Sequence, residues 1–358
     1  MKKKILISSG GSGGHVIPAT VLYEHLKNKF DVFLTVDKRG AKFLNLEKYK
    51  GTIIDTPKLT NNLFIFTLNF FGFFFSIIKS LIYLKKNRID ILISTGGYMS
   101  LPFCIVAKIL NIKIYLFEPN MVLGRANNFF IKHCKKIFCY SNDIVNFPIK
   151  YMNKILLINP LLRKEFYSVA LDNKKTLNEE ITLLIIGGSQ GAKLFNNTLK
   201  NTIIKISKKY KINIYQQTDF LNIENLKYFF NKNQIYYRLF GFEENIINLI
   251  SKANLCITRA GASTLSELTY LNVPYLAIPY QLAKDDHQYQ NALFYKNKDC
   301  CWILQEDQLK NKALENFLIN IINDKDDYLN KKKNMKKFSY NNTWNNINEK
   351  LVNTIDEN

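Results

Sequence analysis

The chain has 358 residues, of which 47% are hydrophobic and 13% aromatic, with 15 Gly and 8 Pro. That much apolar material excludes a mainly disordered chain and anything collagen-like or low-complexity, and at ~150 residues per domain it predicts two domains. The net charge of +21 is what AT-rich coding of Lys and Asn produces, and it also favours an anionic partner. No basic block interleaved with aromatics forms a nucleic-acid module, so nucleic acid is not expected and an anionic lipid surface is the preferred partner.

Six cysteines, Cys104, Cys134, Cys139, Cys256, Cys300 and Cys301, form no CxxC pair, and only four histidines accompany them. A zinc framework is therefore not expected, nor is any cofactor. The cysteines follow apolar runs, the usual setting of buried reduced thiols. Ile5-Leu6-Ile7 is too short an apolar run for a signal-peptide core, which makes a cytoplasmic protein the expectation.

In chain order, Lys4–Ser8 reads as a short strand running into a glycine cluster, and Pro18–Phe30 as a helix with its proline near the first turn. Asp31–Val36 and Thr52–Ile54 are strands. Leu63–Leu84 is the most apolar stretch and is followed by Lys85-Lys86-Asn87-Arg88. Thr67, Asn69, Gly72, Ser76 and Lys79 interrupt it, whereas a membrane span needs ~20 apolar residues. It reads either as a buried helix of an α/β domain or as a helix lying in a membrane interface, anchored by its basic end. A true span is the third and least favoured reading, because strand signals flank the segment. Ile89–Ser94, Ile112–Phe117, Ile137–Tyr140 and Ile155–Ile158 are strands, with helices at Pro102–Leu110 and Gly124–His133. Strands alternating with helices predict a parallel, doubly wound sheet.

The pattern then starts again. Ile181–Ile186 is a strand followed by Gly187-Gly188-Ser189-Gln190-Gly191, about half the chain after Gly10-Gly11-Ser12-Gly13-Gly14. Two Rossmann-like halves are expected, joined near Asn159-Pro160, with the polar stretch Ala170–Glu180 as a surface loop. Asp324–Asn358 reads as polar and helical.

Ligands of open α/β sheets bind beyond the carboxyl ends of the strands, where glycines let backbone N–H groups approach an anion and a helix start adds a favourable dipole. Gly10–Gly14 is a loop of that kind; it is not GxGxxG, lacks a P-loop lysine and taken alone is equally readable as a tight turn, but Ser94-Thr95-Gly96-Gly97-Tyr98 and Gly187–Gly191 repeat the theme, and three such loops make the tight-turn reading less attractive. Thr258-Arg259-Ala260-Gly261-Ala262-Ser263-Thr264-Leu265-Ser266-Glu267 follows the strand Leu255–Ile257 and opens a helix suited to a diphosphate. Ser263 or Thr264 serves equally as an N-cap. Glu267 stands one turn in, where a carboxylate reaches ribose hydroxyls or merely complements the helix start. Asp285-Asp286-His287-Gln288-Tyr289-Gln290-Asn291-Ala292 offers polar side chains to a sugar, or is an ordinary polar helix start.

Five blocks, GGSGGHVIPA (Gly10–Ala19), STGGYMSLP (Ser94–Pro102), GGSQGAKLFN (Gly187–Asn196), TRAGASTLSE (Thr258–Glu267) and DDHQYQNA (Asp285–Ala292), occur in this order over nearly the whole chain. Together they resemble the signature of the MurG family of bacterial peptidoglycan glycosyltransferases. The resemblance implies a GT-B fold: an acceptor and membrane domain over residues 1–159, a UDP-GlcNAc domain over 160–339, and a terminal helix at about 340–358 that packs back on the first domain. It implies inverting transfer of GlcNAc from UDP-GlcNAc to the C4 hydroxyl of the MurNAc-pentapeptide on undecaprenyl diphosphate (lipid I), giving lipid II and UDP. It places the enzyme peripherally on the cytoplasmic face of the inner membrane, in peptidoglycan synthesis and hence cell shape and division, and it favours the interfacial reading of Leu63–Leu84.

By the same resemblance, Ser12, Gly13 and Gly14 meet the donor, and His15 is the general base or orients the sugar, with diphosphate binding as its other reading. Gly96, Gly97 and Tyr98 hold the acceptor diphosphate. Ser189 takes a donor phosphate, Ala262, Ser263, Thr264, Leu265, Ser266 and Glu267 the diphosphate and ribose, and Gln288 a sugar hydroxyl. Asn120 and Arg163 complete the donor set, with uracil expected near Phe242-Glu243. The chain departs from the family's pattern at Phe117-Glu118-Pro119-Asn120, where a His and a Gln are lost, at Ile158–Arg163, which is longer than the family's motif by a single residue, and at Gln216-Gln217-Thr218-Asp219. A GT-B glycolipid synthase acting on diacylglycerol and a UDP-GlcNAc 2-epimerase remain the alternatives.

Overall fold

A computed structural model describes residues 2–57, 63–169, 176–177, 180–309 and 313–357, with backbone alone at 63–68 and 189–192. The loop expected at Ala170–Glu180 lies largely outside the described residues. The chain forms two compact units, Met1–Lys164 with Thr343–Asn358, and Glu165–Asn342.

The first unit runs β1 (Lys4–Ser8), α1 (Gly13–Leu26), β2 (Asp31–Val36), β3 (Gly51–Ile53), α2 (Leu63–Asn87), β4 (Ile91–Ser94), α3 (Leu101–Ile109), β5 (Lys113–Glu118), α4 (Arg125–Phe130), β6 (Ile137–Cys139) and β7 (Ile155–Leu157). Its sheet has the order β3-β2-β1-β4-β5-β6-β7, with every pairing parallel. All four residues of β4 are buried, as expected of a central parallel strand covered on both faces.

The second unit runs β8 (Glu180–Ile186), α5 (Gly188–Thr198), α6 (Lys200–Ser207), β9 (Lys211–Gln217), α7 (Ile223–Lys232), β10 (Tyr236–Phe240), α8 (Ile246–Ile250), β11 (Leu255–Thr258), α9 (Ala262–Tyr270), β12 (Tyr275–Ala277), α10 (His287–Lys296), β13 (Trp302–Ile303), α11 (Ala313–Asn323) and α12 (Lys325–Ser339). Its parallel sheet has the order β10-β9-β8-β11-β12-β13. Both sheets are doubly wound, and each reverses direction once, between β1 and β4 and between β8 and β11.

Two boundaries differ from the sequence reading. The helix expected to open at Pro18 starts at Gly13 and carries Pro18 inside; its missing N–H costs the bond to the Gly14 carbonyl, at a position where Gly14 has no side chain to crowd the ring. The chain also stays in the first unit beyond Asn159-Pro160. The Leu161 N–H donates to the Tyr140 hydroxyl at 2.9 Å, and Leu161 and Leu162 are buried. The last helix, α13 (Trp344–Glu357), buries Ile347, Leu351, Val352 and Ile355, and Trp344 stacks on His25 of α1 with centroids 3.6 Å apart. All six cysteines are buried and unbridged; burial pushes the Cys104 thiol up to about 12.

Candidate functional site

In a doubly wound sheet the ligand crevice lies where the strand order reverses, beyond the carboxyl ends. In the first unit that rule selects the loops after β1 and β4. Ser12 is the extended N-cap residue of α1, and its carbonyl accepts from His15 and Val16. Gly13 and Gly14 thus supply first-turn N–H groups, which no intrahelical carbonyl can reach. The His15 Nδ1 stands 3.0 Å from the Thr95 carbonyl. A carbonyl only accepts, so Nδ1 carries the proton and Nε2 is the basic nitrogen of the neutral ring.

The same ring lies against Gly96 and Gly97. These adjacent residues have φ of +82° and +75°, a conformation that side chains resist. A Cβ on Gly97 would stand 3.6 Å from both the His15 ring and the Gly10 carbonyl. The Ser100 hydroxyl braces the loop by donating to the Gly97 carbonyl at 2.8 Å. The Tyr98 ring faces Phe73 of α2, with centroids 6.5 Å apart. The structure therefore brings Gly13, Gly14, His15, Gly96, Gly97 and Tyr98 together and joins them to the apolar helix.

Two carboxylates that sequence reasoning missed organise this crevice. Asp37, just past β2, accepts from the Gly11 and Gly40 N–H groups at 2.8 Å each and from Arg39. Burial pushes its pKa up, but those donors outweigh it and hold the carboxyl below its usual value. The signal was available, since an acidic residue commonly ends the second strand of a Rossmann unit. Glu118 ends β5 and is 2% exposed. Its Oε1 accepts from the Asn120 N–H and side-chain amide, and its Oε2 from the Gly124 N–H and the Asn127 amide, at 2.8–3.2 Å. Asn120, expected on the donor, donates from its amide to Glu118. Arg163 is the second-last residue of the first unit's main segment and is half-buried.

Helix α2 leaves Phe70, Phe71, Phe74, Phe75, Ile78 and Ile82 exposed. Their spacing lines one side of a helix, which ends in Lys85 and Lys86. Among the described side chains of α2, Ser76, Ser80 and Leu84 are buried on the other side. Among the described residues no helix is long and apolar enough to cross a membrane.

In the second unit the reversal lies between β8 and β11. Gly187-Gly188 and the first turn of α5 follow β8; the Ser189 side chain lies outside the described residues. After β11, Gly261 is the extended N-cap residue of α9, so Ala262, Ser263 and Thr264 present first-turn N–H groups. Leu265 does not join them, because its side chain is in the core and its N–H bonds to the Gly261 carbonyl. Ser266 also faces inward, donating to the Ala262 carbonyl and meeting the Tyr295 hydroxyl at 2.9 Å. Glu267 is almost wholly buried one turn into α9.

Helix α10 fixes this loop from the side. The Gln288 Oε1 accepts from the Ala260 N–H at 3.2 Å and the Tyr280 N–H at 3.0 Å, while Asn291 donates to the Ala260 carbonyl at 3.1 Å. Gln288, expected on a sugar hydroxyl, therefore has its amide NH₂ for that purpose and its oxygen committed. Arg259 lies between the Phe195 and Tyr280 rings and donates to Glu306 at 2.9 Å.

Two parallel Rossmann-like sheets, each with glycine-rich or small-residue helix starts at its reversal point, suit a nucleotide ligand, and the family models give the class as glycosyltransferase. Residues 5–139 match the glycosyltransferase family 28 N-terminal domain and residues 182–346 its C-terminal domain. The UDP-N-acetylglucosamine–N-acetylmuramyl-(pentapeptide) pyrophosphoryl-undecaprenol N-acetylglucosamine transferase of Pelagibacter ubique is 55% identical over 100% of both chains. The enzyme of the same name from Rickettsia felis is 33% identical over 90% of this chain and 91% of its own. The chain belongs to this transferase family. The fold agrees: the crystal structure of Acinetobacter baumannii MurG superposes with a TM-score of 0.75 at 22% identity, covering 99% of this chain and 100% of that one. A UDP-N-acetylglucosamine 2-epimerase shares the fold at a TM-score of 0.68 and 12% identity, covering 100% of this chain and 98% of that one.

Proposed function

We propose that the protein transfers GlcNAc from UDP-GlcNAc to the C4 hydroxyl of lipid I, releasing UDP and lipid II, at the cytoplasmic face of the inner membrane. The full-length 55% identity to the Pelagibacter ubique transferase carries this reading. It favours a transferase over the epimerase, whose likeness is one of fold alone.

In this account the second unit holds the donor. The first turns of α5 and α9 direct N–H groups at the diphosphate, and Glu267 takes the ribose. As the bond from the anomeric carbon to the diphosphate breaks, negative charge grows on UDP, and preorganised N–H donors and helix dipoles stabilise it without reorganising. In the first unit, Gly96, Gly97 and Tyr98 hold the acceptor diphosphate, and the His15 Nε2 removes the proton of the attacking hydroxyl. Imidazole is the side chain most often used for that proton transfer. A single displacement inverts the anomeric centre.

The exposed phenylalanines of α2 enter the lipid interface, with Lys85 and Lys86 at anionic headgroups. The contact of Tyr98 with Phe73 supports this reading, because it joins the loop proposed for the acceptor diphosphate to the helix proposed for the lipid interface. Labelled UDP-GlcNAc offered to a short-chain lipid I analogue and, separately, to diacylglycerol tests the reading. Label in diacylglycerol, or sugar conversion without acceptor, refutes it.

A further inference from the structure

The most informative unassigned residue is Gln217, the last residue of β9. Along a strand, successive side chains point to opposite faces. Gln216 and Thr218 point to one face, where both are buried. There the Gln216 amide donates to the Asn196 Oδ1 at 2.8 Å and the Asn196 amide to the Thr218 hydroxyl at 2.9 Å, which fastens the end of β9 to α5. Gln217 points the other way and is half-buried.

Strand β9 lies between β8 and β10, so its carboxyl end sits between the loops that follow them. The Gln217 side chain spans both. Its Oε1 accepts from the Gly188 N–H at 2.8 Å, and its Nε2 donates to the Gly241 carbonyl at 3.3 Å. This orientation of the amide is the only one that pairs donor with acceptor at both ends. Gly188 has φ of +63°, and a Cβ there would meet nothing within 4 Å. The glycine thus serves the backbone conformation, and the bond from Gln217 holds that conformation in place.

We propose that Gln217 is a positioning residue for the nucleotide: it sets the spacing between the phosphate-side loop at Gly187-Gly188 and the base-side loop at Gly241-Phe242, and so tunes donor affinity without touching the acceptor. The inference rests on the reading of the second unit as the UDP-GlcNAc unit. Removing both bonds frees the Gly188 peptide to leave its conformation, and UDP must then pay the cost of ordering the two loops.

Gln217→Met keeps length and shape and removes both bonds. UDP binding by titration calorimetry needs no acceptor, and it is run beside steady-state transfer and thermal unfolding. The expected result is a UDP Kd and a UDP-GlcNAc KM raised about tenfold, the scale of one or two ordinary hydrogen bonds, with acceptor KM and Tm unchanged. Amide exchange at Gly188 and Phe242 accelerates in the free variant. Unchanged UDP affinity overturns the proposal, as does a loss in which Tm and both KM values move together. Wild-type protein that binds UDP but leaves lipid I unmodified removes the acceptor assignment alone, and wild-type protein that does not bind UDP removes both.

Discussion

The apolar face of α2 offers a quantitative test of membrane engagement. Phe71 and Phe75 are 63% and 60% exposed and lie one helical turn apart. With about 200 Å² of surface per aromatic side chain, each shows water roughly 120 Å². At ~25 cal/mol per Å², full transfer into hydrocarbon is worth about 3 kcal/mol each, and half-insertion at the headgroup boundary about half of that. The double variant Phe71→Ser/Phe75→Ser therefore loses ~3 kcal/mol of interfacial binding, a partition coefficient lower by roughly two orders of magnitude. The folded state already exposes both rings, so Tm is expected to hold or rise slightly. Sedimentation with phosphatidylglycerol-containing vesicles, with wild type and variant side by side, reads the effect. An unchanged partition coefficient refutes the assignment of this face to lipid. Neutralising Lys85 and Lys86 to Gln is the companion change, at about 1 kcal/mol per lysine near an anionic surface and less in high salt.

Other expectations are narrower. Gly97→Ala forces an L side chain to φ of +75° at a cost of about 1–2 kcal/mol, while its Cβ meets the His15 ring only at an ordinary contact distance of 3.6 Å; the strained loop should shift, and transfer kinetics should show a kcat about tenfold lower with UDP-GlcNAc KM little changed. Asp37→Asn keeps one oxygen for the Gly11 and Gly40 N–H groups, which both bond to Oδ1, but puts an NH₂ where Oδ2 accepts from Arg39 and removes the charge; urea unfolding should show a loss of ~1–3 kcal/mol. Burial lowers the His25 imidazole to about 4. Its contribution is therefore fully present above the unfolded value near 6.5 and is lost progressively as pH falls from there through 4, by about 3 kcal/mol in all. His25→Phe should flatten that limb of a stability–pH curve, and an equally steep limb in the variant would put the acid sensitivity elsewhere.

The sequence exposed some parts of this molecule far more readily than others. The alternation of short apolar runs with helical segments is a local signal, and β1, β4, β5 and β8 stand where it points. Glycine loops announce themselves because few other residues tolerate their backbone angles, and the strand order then puts Gly10–Gly14 with Ser94–Tyr98, and Gly187–Gly191 with Ala260–Thr264, at the two reversal points. The commitments of individual polar groups are long-range and left no trace in spacing. Glu118 reaches residues two to nine positions ahead, Asp37 reaches back to Gly11, and Gln288 reaches back to Ala260. Asn120 was legible as a polar loop residue and Gln288 as a polar residue of a helix start, but what their amides bind depends on how those segments fold over each other. The helix at Leu63–Leu84 was ambiguous for a related reason. Its composition suits a core or an interface equally, and the packing of α2 against α3 decides which side chains stay outside.

The central claim concerns the acceptor and the bond made to it. Purified protein is incubated with UDP-GlcNAc labelled in the sugar and a lipid I analogue in anionic mixed micelles, and the product linkage is read by NMR. The account predicts label on the MurNAc C4 oxygen with inverted anomeric configuration, one UDP released per transfer, and loss of transfer in His15→Ala while UDP still binds. Retained configuration, label on another hydroxyl, or transfer to diacylglycerol in preference to lipid I would contradict it.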